Sequence, residues 1–225
     1  MKILGIDTTT KFLCMGIYDN AKVYEYTQEV GRRLSSLLAV TIERVLDALG
    51  WLPSDIDYFA CGLGPGSFTG MRVGLAAIKG LSFSLNKPIV GISTLDILAR
   101  NVSLNNATVA PIIDAKRNLI YCSIYKTKGG IQKRTMPYML LSEEDFLKKL
   151  KDNSVFLGDG VSLYKEKILK EIKGATVLAQ DYWYPKAGNI ITLALEKIRS
   201  KELDSPFKIK PIYLYPKECQ IRIKK

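Results

Sequence analysis

Apolar residues in this chain fall into short blocks separated by glycine, proline and asparagine turns, and the blocks switch between two periods. Residues 2–8 run apolar into Asp7, residues 12–18 (Phe-Leu-Cys-Met-Gly-Ile-Tyr) form a second block and 22–28 a third. These lengths and the hydroxyl turn between the first two predict a β-meander. From 33 to 49 the period changes: Leu34, Leu37, Leu38, Thr41, Ile42, Val45, Leu46 and Leu49 recur at three-four spacing, and Gly50 follows. That is an amphipathic helix with a core-facing stripe, and Ala39 and Val40 widen its apolar side enough to leave room for a partner helix. A fourth strand is expected at 57–61, a helix at 69–85 and a strand at Pro88–Ile92. Ser93 or Thr94 then caps a helix at 95–103.

A similar order restarts after Asn105-Asn106. Val109 to Ile113 reads as a strand ending at Asp114, Ala115-Lys116-Arg117-Asn118 as a turn, Leu119 to Tyr125 as the return strand, and 131–140 as a third strand interrupted by Pro137. Ser142 opens a helix to about Leu150 with acids in its first turn. A strand at 155–157 leads through Gly158-Asp159-Gly160 into a helix reaching about Ile172. The last helix is 187–199, and 206–225 reads as an extended basic tail. Two meanders, each opening on a strand that ends in Asp, predict an α/β chain of two lobes related by a structural repeat. The first is 1–103, with helix 187–199 packing back on it, and the second, smaller one is 104–186.

Composition narrows the chemistry. The chain has 225 residues, 47% of them hydrophobic and 24% charged, as in an ordinary globular protein. It has no histidine, which removes Ser-His and Cys-His nucleophile pairs and any imidazole metal site. Cys14, Cys61, Cys122 and Cys219 form no Cys-x-x-Cys pair; three of them sit in apolar strand-like runs and read as buried free thiols of a cytoplasmic protein. No apolar run reaches membrane-spanning length, and no leader segment is expected. A formal net charge of +11 is compatible with an RNA neighbour, but the cations are scattered and read first as a solvated lysine-rich surface.

Two stretches carry candidate chemistry. Asp7 followed by Thr8, Thr9 and Thr10 can hold hydrated magnesium and reach nucleotide phosphates, or can close a hairpin by side-chain hydrogen bonds. Between Gly62 and Gly74 lies Gly64-Pro65-Gly66-Ser67-Phe68-Thr69-Gly70-Met71-Arg72-Val73-Gly74. Such a strand-to-helix turn exposes backbone to a phosphate or to another protein, or simply allows close packing. It matches neither the Walker phosphate loop nor the dinucleotide fingerprint.

Gly5-Ile6-Asp7-Thr8-Thr9, the run from Gly64 to Gly74, Ser93-Thr94-Leu95 and Asp114-Ala115-Lys116-Arg117 with Tyr121 together resemble the bacterial TsaB family, formerly YeaZ. The likeness is strongest over about residues 1–125. It implies the actin-like and Hsp70-like fold and a non-catalytic subunit of the machinery that places threonylcarbamoyl on N6 of adenosine 37 in tRNAs reading codons that begin with A. In that machinery TsaD is the catalytic subunit, the ATPase TsaE joins the pair, and TsaB forms homodimers through the face that also meets TsaD. Carried to this chain, the resemblance places the partner interface on Leu34, Leu37, Leu38, Thr41, Ile42, Val45, Thr69, Arg72 and Val73. The chain departs from the family at Arg33-Leu34-Ser35, where a histidine is frequent. The nucleotide turns, Asp7 to Thr10, Asp114 to Arg117 and Gly158-Asp159-Gly160, are expected to be degenerate. Side chains then crowd the phosphate, no cofactor is needed, and ATP or ADP with magnesium binds at most weakly. On this reading no residue is catalytic, no metal is held and tRNA is met at most through the complex. The glycine run then serves to hold the helix from Thr69 against the helix 33–49. The alternative is an active nucleotide-dependent kinase or ATPase of the same fold, using Asp7 and Asp114 on magnesium.

Overall fold

The computed structural model describes residues 1–20 and 22–216; 217–225, with Cys219, lie outside the described residues. The chain divides into two compact units, Met1–Ile97 with Tyr184–Pro211, and Leu98–Trp183 with the described residues from Ile212 onward.

The first unit is built on a five-stranded sheet. Its strands are β1 (Lys2–Asp7), β2 (Phe12–Asp19), β3 (Lys22–Glu29), β4 (Tyr58–Gly62) and β5 (Ile89–Ile92), in the order β3-β2-β1-β4-β5. Helix α1 (Leu34–Ala48) lies between β3 and β4, α2 (Phe68–Ser84) between β4 and β5, and α3 (Thr94–Ala99) follows β5. β1 alternates its side chains between two apolar layers. Leu4 and Ile6 join Leu13, Met15 and Phe59 with Leu34, Leu38, Ile42 and Leu46 of α1 and Leu75 and Ile78 of α2. Ile3 joins Cys14, Ala60 and Val90 against Ile190, Ile191 and Ala194 near the C-terminal end of the unit. Burial on both faces is why the central strands read as unbroken apolar runs. Gly50, at φ +68°, ends α1 in the left-handed position that favours glycine.

The second unit repeats the plan. β6 (Thr108–Lys116) is its central strand, paired antiparallel with β7 (Leu119–Cys122). β8 (Tyr125–Lys128) also pairs with β6, β9 (Ile131–Arg134) pairs with β8, and β10 (Met139–Ser142) pairs with β7. After α4 (Glu143–Leu147), β11 (Ser154–Leu157) lies parallel to β6; α5 (Val161–Glu171) follows, and β12 (Thr176–Val177) completes the path β10-β7-β6-β11-β12. In each unit the first strand is central, its hairpin return lies on one side and a parallel strand on the other. This duplicated order is that of the actin-like α/β fold. Helix α6 (Ala187–Arg199) returns to the first unit and packs on β1, β2, β3 and β5.

Several expected boundaries change. The strand expected from Leu119 to Tyr125 is two, β7 and β8, because β6 pairs with them at different places along its length. The strand expected at 131–140 is likewise two, β9 and β10, separated by a stretch in which Thr135 N donates to Ile124 O (2.8 Å) and Ser123 Oγ to Met136 O (2.8 Å). The helix expected at 95–103 stops at Ala99, and the one expected to reach Leu150 stops at Leu147. The segment after Pro206 is anchored over its described part: Ile209 is buried in the first unit's core, and Tyr215 donates its hydroxyl to Ala115 O (2.8 Å) in the second.

Candidate functional site

Asp7 ends β1 and is fully buried. Its Oδ1 accepts from Thr9 N and from Thr9 Oγ1, each at 2.8 Å, and Thr94 Oγ1 lies 2.8 Å from Oδ2. The two threonine hydroxyls are also 2.9 Å apart. Three oxygen–oxygen contacts therefore close a ring in which the hydroxyls supply only two protons. Thr9 Oγ1 donates to Oδ1 and Thr94 Oγ1 to Oδ2, so both carboxyl oxygens accept within the turn. Burial raises the Asp7 pKa, outweighing the three hydrogen bonds, which lower it. Burial thus disfavours the charged form of the carboxyl, and both of its oxygens are engaged by neighbouring threonines.

The glycine run completes this closure. Ser67 N donates to Thr9 O (2.7 Å), Thr8 Oγ1 to Gly70 O (2.7 Å) and Thr94 N to Gly64 O (2.8 Å). Ser67 caps α2, its Oγ accepting from Gly70 N (3.2 Å). The Ser67 and Gly70 amides of the loop are thereby engaged inside the fold. The glycines are needed for approach: a Cβ on Gly66 would stand 2.5 Å from Thr9 O, and one on Gly62, Gly70 or Gly74 would fall inside 3 Å of Asp7, Thr8 O or Thr8 Oγ1. The expectation that these glycines hold α2 against α1 is corrected, since they seat the loop on the Thr8-Thr9 turn and the end of β1. Thr10 closes the hairpin, its Oγ1 accepting from Phe12 N (3.2 Å).

The second unit's turn is also engaged by its own chain. Asp114 is ion-paired with Lys116 and accepts from Lys116 N (2.8 Å), while Asp159 Oδ1 accepts from Asp114 N (3.0 Å). Asp159 is half-buried, and desolvation raises its pKa. Gly158 and Gly160 pack on the backbone of β6, Gly160 N donating to Ile112 O (3.1 Å). Lys116 and Arg117 are exposed, so what occupies this turn is its own hydrogen bonding rather than crowding by those side chains. Among the described residues no three acidic, cysteine or histidine side chains converge on a metal position.

The helix face expected to meet a partner divides. Leu34, Leu38, Thr41 and Ile42 are buried, three of them in the first unit's core, and Leu37 and Val45 pack against it. Leu34, Leu38 and Thr41 are corrected from partner-facing to core residues, because a stripe that covers the sheet is not presented outward; Leu37 and Val45 are half-buried, and Ile42, though buried, lines the outward groove. Thr69 and Arg72 are exposed, Val73 is half-buried, and the Arg72 guanidinium lies 3.8 Å from the Phe68 ring centre. The outward surface lies one helical position away. Ala39, Val40 and Glu43 of α1, Ala76 and Gly80 of α2, and Leu52 line an apolar groove of about 690 Å³. Val40 is 40% and Leu52 65% exposed. Small residues at Ala39, Ala76 and Gly80 allow close helix approach, yet they give a weak periodic signal, which is why periodicity points to the inward stripe instead.

One prediction follows from the closed ring. Asp7→Asn removes the charge that burial at this position disfavours. Wild type loses stability as pH rises from the ordinary value of 3.8 through the raised folded value, because the unfolded carboxyl releases its proton first. Denaturant unfolding from about pH 4 to 9 is expected to show the balance shifting toward Asp7→Asn as pH rises. A difference that stays constant, or shifts toward wild type, would show that Asp7 is ionised in the fold.

An actin-like fold whose two aspartate turns are hydrogen-bonded within the chain defines a protein of the nucleotide-fold class. The family model for TsaD, the tRNA N6-adenosine threonylcarbamoyltransferase, matches residues 26–218. The tRNA threonylcarbamoyladenosine biosynthesis protein TsaB of Bacillus subtilis is 31% identical over 172 residues, 75% of each chain. That of Escherichia coli is 26% identical over 220 residues, 95% of this chain and 94% of its own. A Pseudomonas aeruginosa crystal structure, described as similar to peptidase YeaZ, superposes with a TM-score of 0.83 at 25% identity, over 95% of this chain and 99% of the other. The chain belongs to the TsaB (YeaZ) family, within the wider group that the transferase model describes.

Proposed function

We propose that this chain is a non-catalytic subunit of tRNA threonylcarbamoyladenosine formation in the cytoplasm, pairing with a TsaD-type transferase through the outward face of α1 and α2. The observation that carries the non-catalytic part is the environment of Asp7: the carboxyl is fully buried and both of its oxygens are held by Thr9 and Thr94 of its own chain, the position an active nucleotide fold uses to hold hydrated magnesium. The absence of histidine adds that the chain lacks the residue type on which peptidase and imidazole-metal mechanisms depend. The pairing part rests on the relatives' names and on the apolar groove. A TsaE-type ATPase joins the pair, and in isolation two copies associate through the same face. No helix among the described residues is long and apolar enough to cross a membrane.

The test is reconstitution. Added to a TsaD-type transferase with threonylcarbamoyl-AMP and tRNA, the chain is expected to stimulate modification, while calorimetry of the chain alone with Mg-ATP shows no micromolar binding. No stimulation would sink the proposal. Micromolar Mg-ATP binding that is abolished by Asp7→Ala would establish the kinase or ATPase reading instead.

A further inference from the structure

We propose that the β8–β9 hairpin of the second unit is a contact surface for the phosphate backbone of RNA. From Ala115 to Ser142 the chain carries Lys116, Arg117, Lys126, Lys128, Lys133 and Arg134 and no acidic residue. The last four sit on the hairpin. Its register sets Lys126 opposite Lys133 and Lys128 opposite Ile131, and directly opposed residues of an antiparallel pair share a face. On β8, Tyr125 and Thr127 are buried while Lys126 and Lys128 are exposed. Three lysines therefore crowd one outward face around Ile131, which is 73% exposed. Among the described residues none of the three lysines has an ion-pair partner.

Like charges directly opposed across a strand pair weaken it, so the arrangement asks for an external anion. Protection of an exposed edge is the ordinary reason for lysine on an outer strand. It accounts for Lys133 on β9, but not for Lys126, which faces it from a strand paired with β9 on one side and with Thr108 of β6 on the other. The hairpin is also held firmly from behind. Gln132 Nε2 donates to Ala99 O (2.9 Å), and Thr127 Oγ1 accepts from Ala107 N (2.9 Å). A fixed lysine cluster with one aliphatic side chain lacks the aromatic core of a protein interface, whereas phosphate contacts need only placed cations.

The t6A reading enters only in the choice of tRNA as the probe. Anisotropy of labelled tRNA with the full chain, across a KCl series, is expected to show salt-steep binding. Lys126→Gln with Lys133→Gln should weaken it roughly tenfold near 0.1 M salt and reduce the slope of log affinity against log salt by about 2. Lys126→Arg with Lys133→Arg should preserve both. Because the glutamine pair relieves the opposed charges, its thermal midpoint should not fall, which separates lost binding from lost folding. Absence of wild-type binding, an unchanged slope in the glutamine pair, or equal competition by polyglutamate at matched charge would each overturn the proposal. Running the same variants in the reconstituted modification assay keeps the two readings apart. Hairpin-dependent binding without stimulation would count against the t6A role alone, and stimulation without hairpin dependence of binding would count against this surface alone.

Discussion

Gly70→Ala is expected to lower the thermal midpoint of this chain by roughly 6–12 °C, about 3 kcal/mol for a chain of this size. The added Cβ would fall inside 3 Å of Thr8 O and 3.2 Å from Ser67 Cβ, both within the buried loop seat. Neither neighbour can retreat cheaply. Thr8 Oγ1 is bonded to Gly70 O and Ser67 N to Thr9 O, each at 2.7 Å, so moving the turn breaks the contacts that fix it. The gain in helix propensity, about 1 kcal/mol, does not offset this. Gly80 lies on the same helix with open space where its Cβ would stand, so Gly80→Ala should instead raise the midpoint by about 1–4 °C. Thermal melts of the two variants beside wild type decide the matter. If Gly70→Ala also melts at or above the wild-type temperature, the loop is not seated on Thr8 as described.

That contrast between two glycines of one helix shows where the sequence was legible. The strands ending in Asp7 and Asp114, helices α1, α2 and α6 and the two-part repeat follow from local apolar periods and turn residues. Asp7 was visible as a strand end followed by hydroxyls, but its closure was not. Thr94, which completes the ring, lies 87 residues further along the chain. The division of 119–125 into β7 and β8 is also non-local, since it is set by where β6 accepts each partner. Several residues expected at the partner face are buried for a different reason. A three-four leucine stripe marks what a helix buries in its own domain before it marks anything else, and the residues left outside are small: Ala39, Ala76 and Gly80. Lys126 and Lys133 were counted as scattered cations because their opposition exists only in the register.

Val40→Glu combined with Ala76→Glu is expected to abolish association with a TsaD-type transferase, weakening it by at least about 100-fold, roughly 3 kcal/mol, while the chain stays folded. Val40 is 40% exposed and Ala76 is exposed on α2, so in the free chain each carboxylate stays in water and the stability change should remain within about 0.5 kcal/mol. In a packed helix interface the same two charges must shed water without a partner, a cost that falls on binding alone. Substituting the inward stripe cannot make this distinction. Ile42 is 6% and Leu38 2% exposed, so Ile42→Glu or Leu38→Glu would lose association through unfolding, and even Leu38→Ala should cost about 3 kcal/mol of stability. The decisive comparison is between sedimentation or calorimetric titration with the transferase and thermal melts of the same samples. Intact association of the folded Val40→Glu, Ala76→Glu variant would move the partner face away from the groove. A smaller loss, confined to self-association, would separate the homodimer surface from the transferase surface and leave the groove to the former.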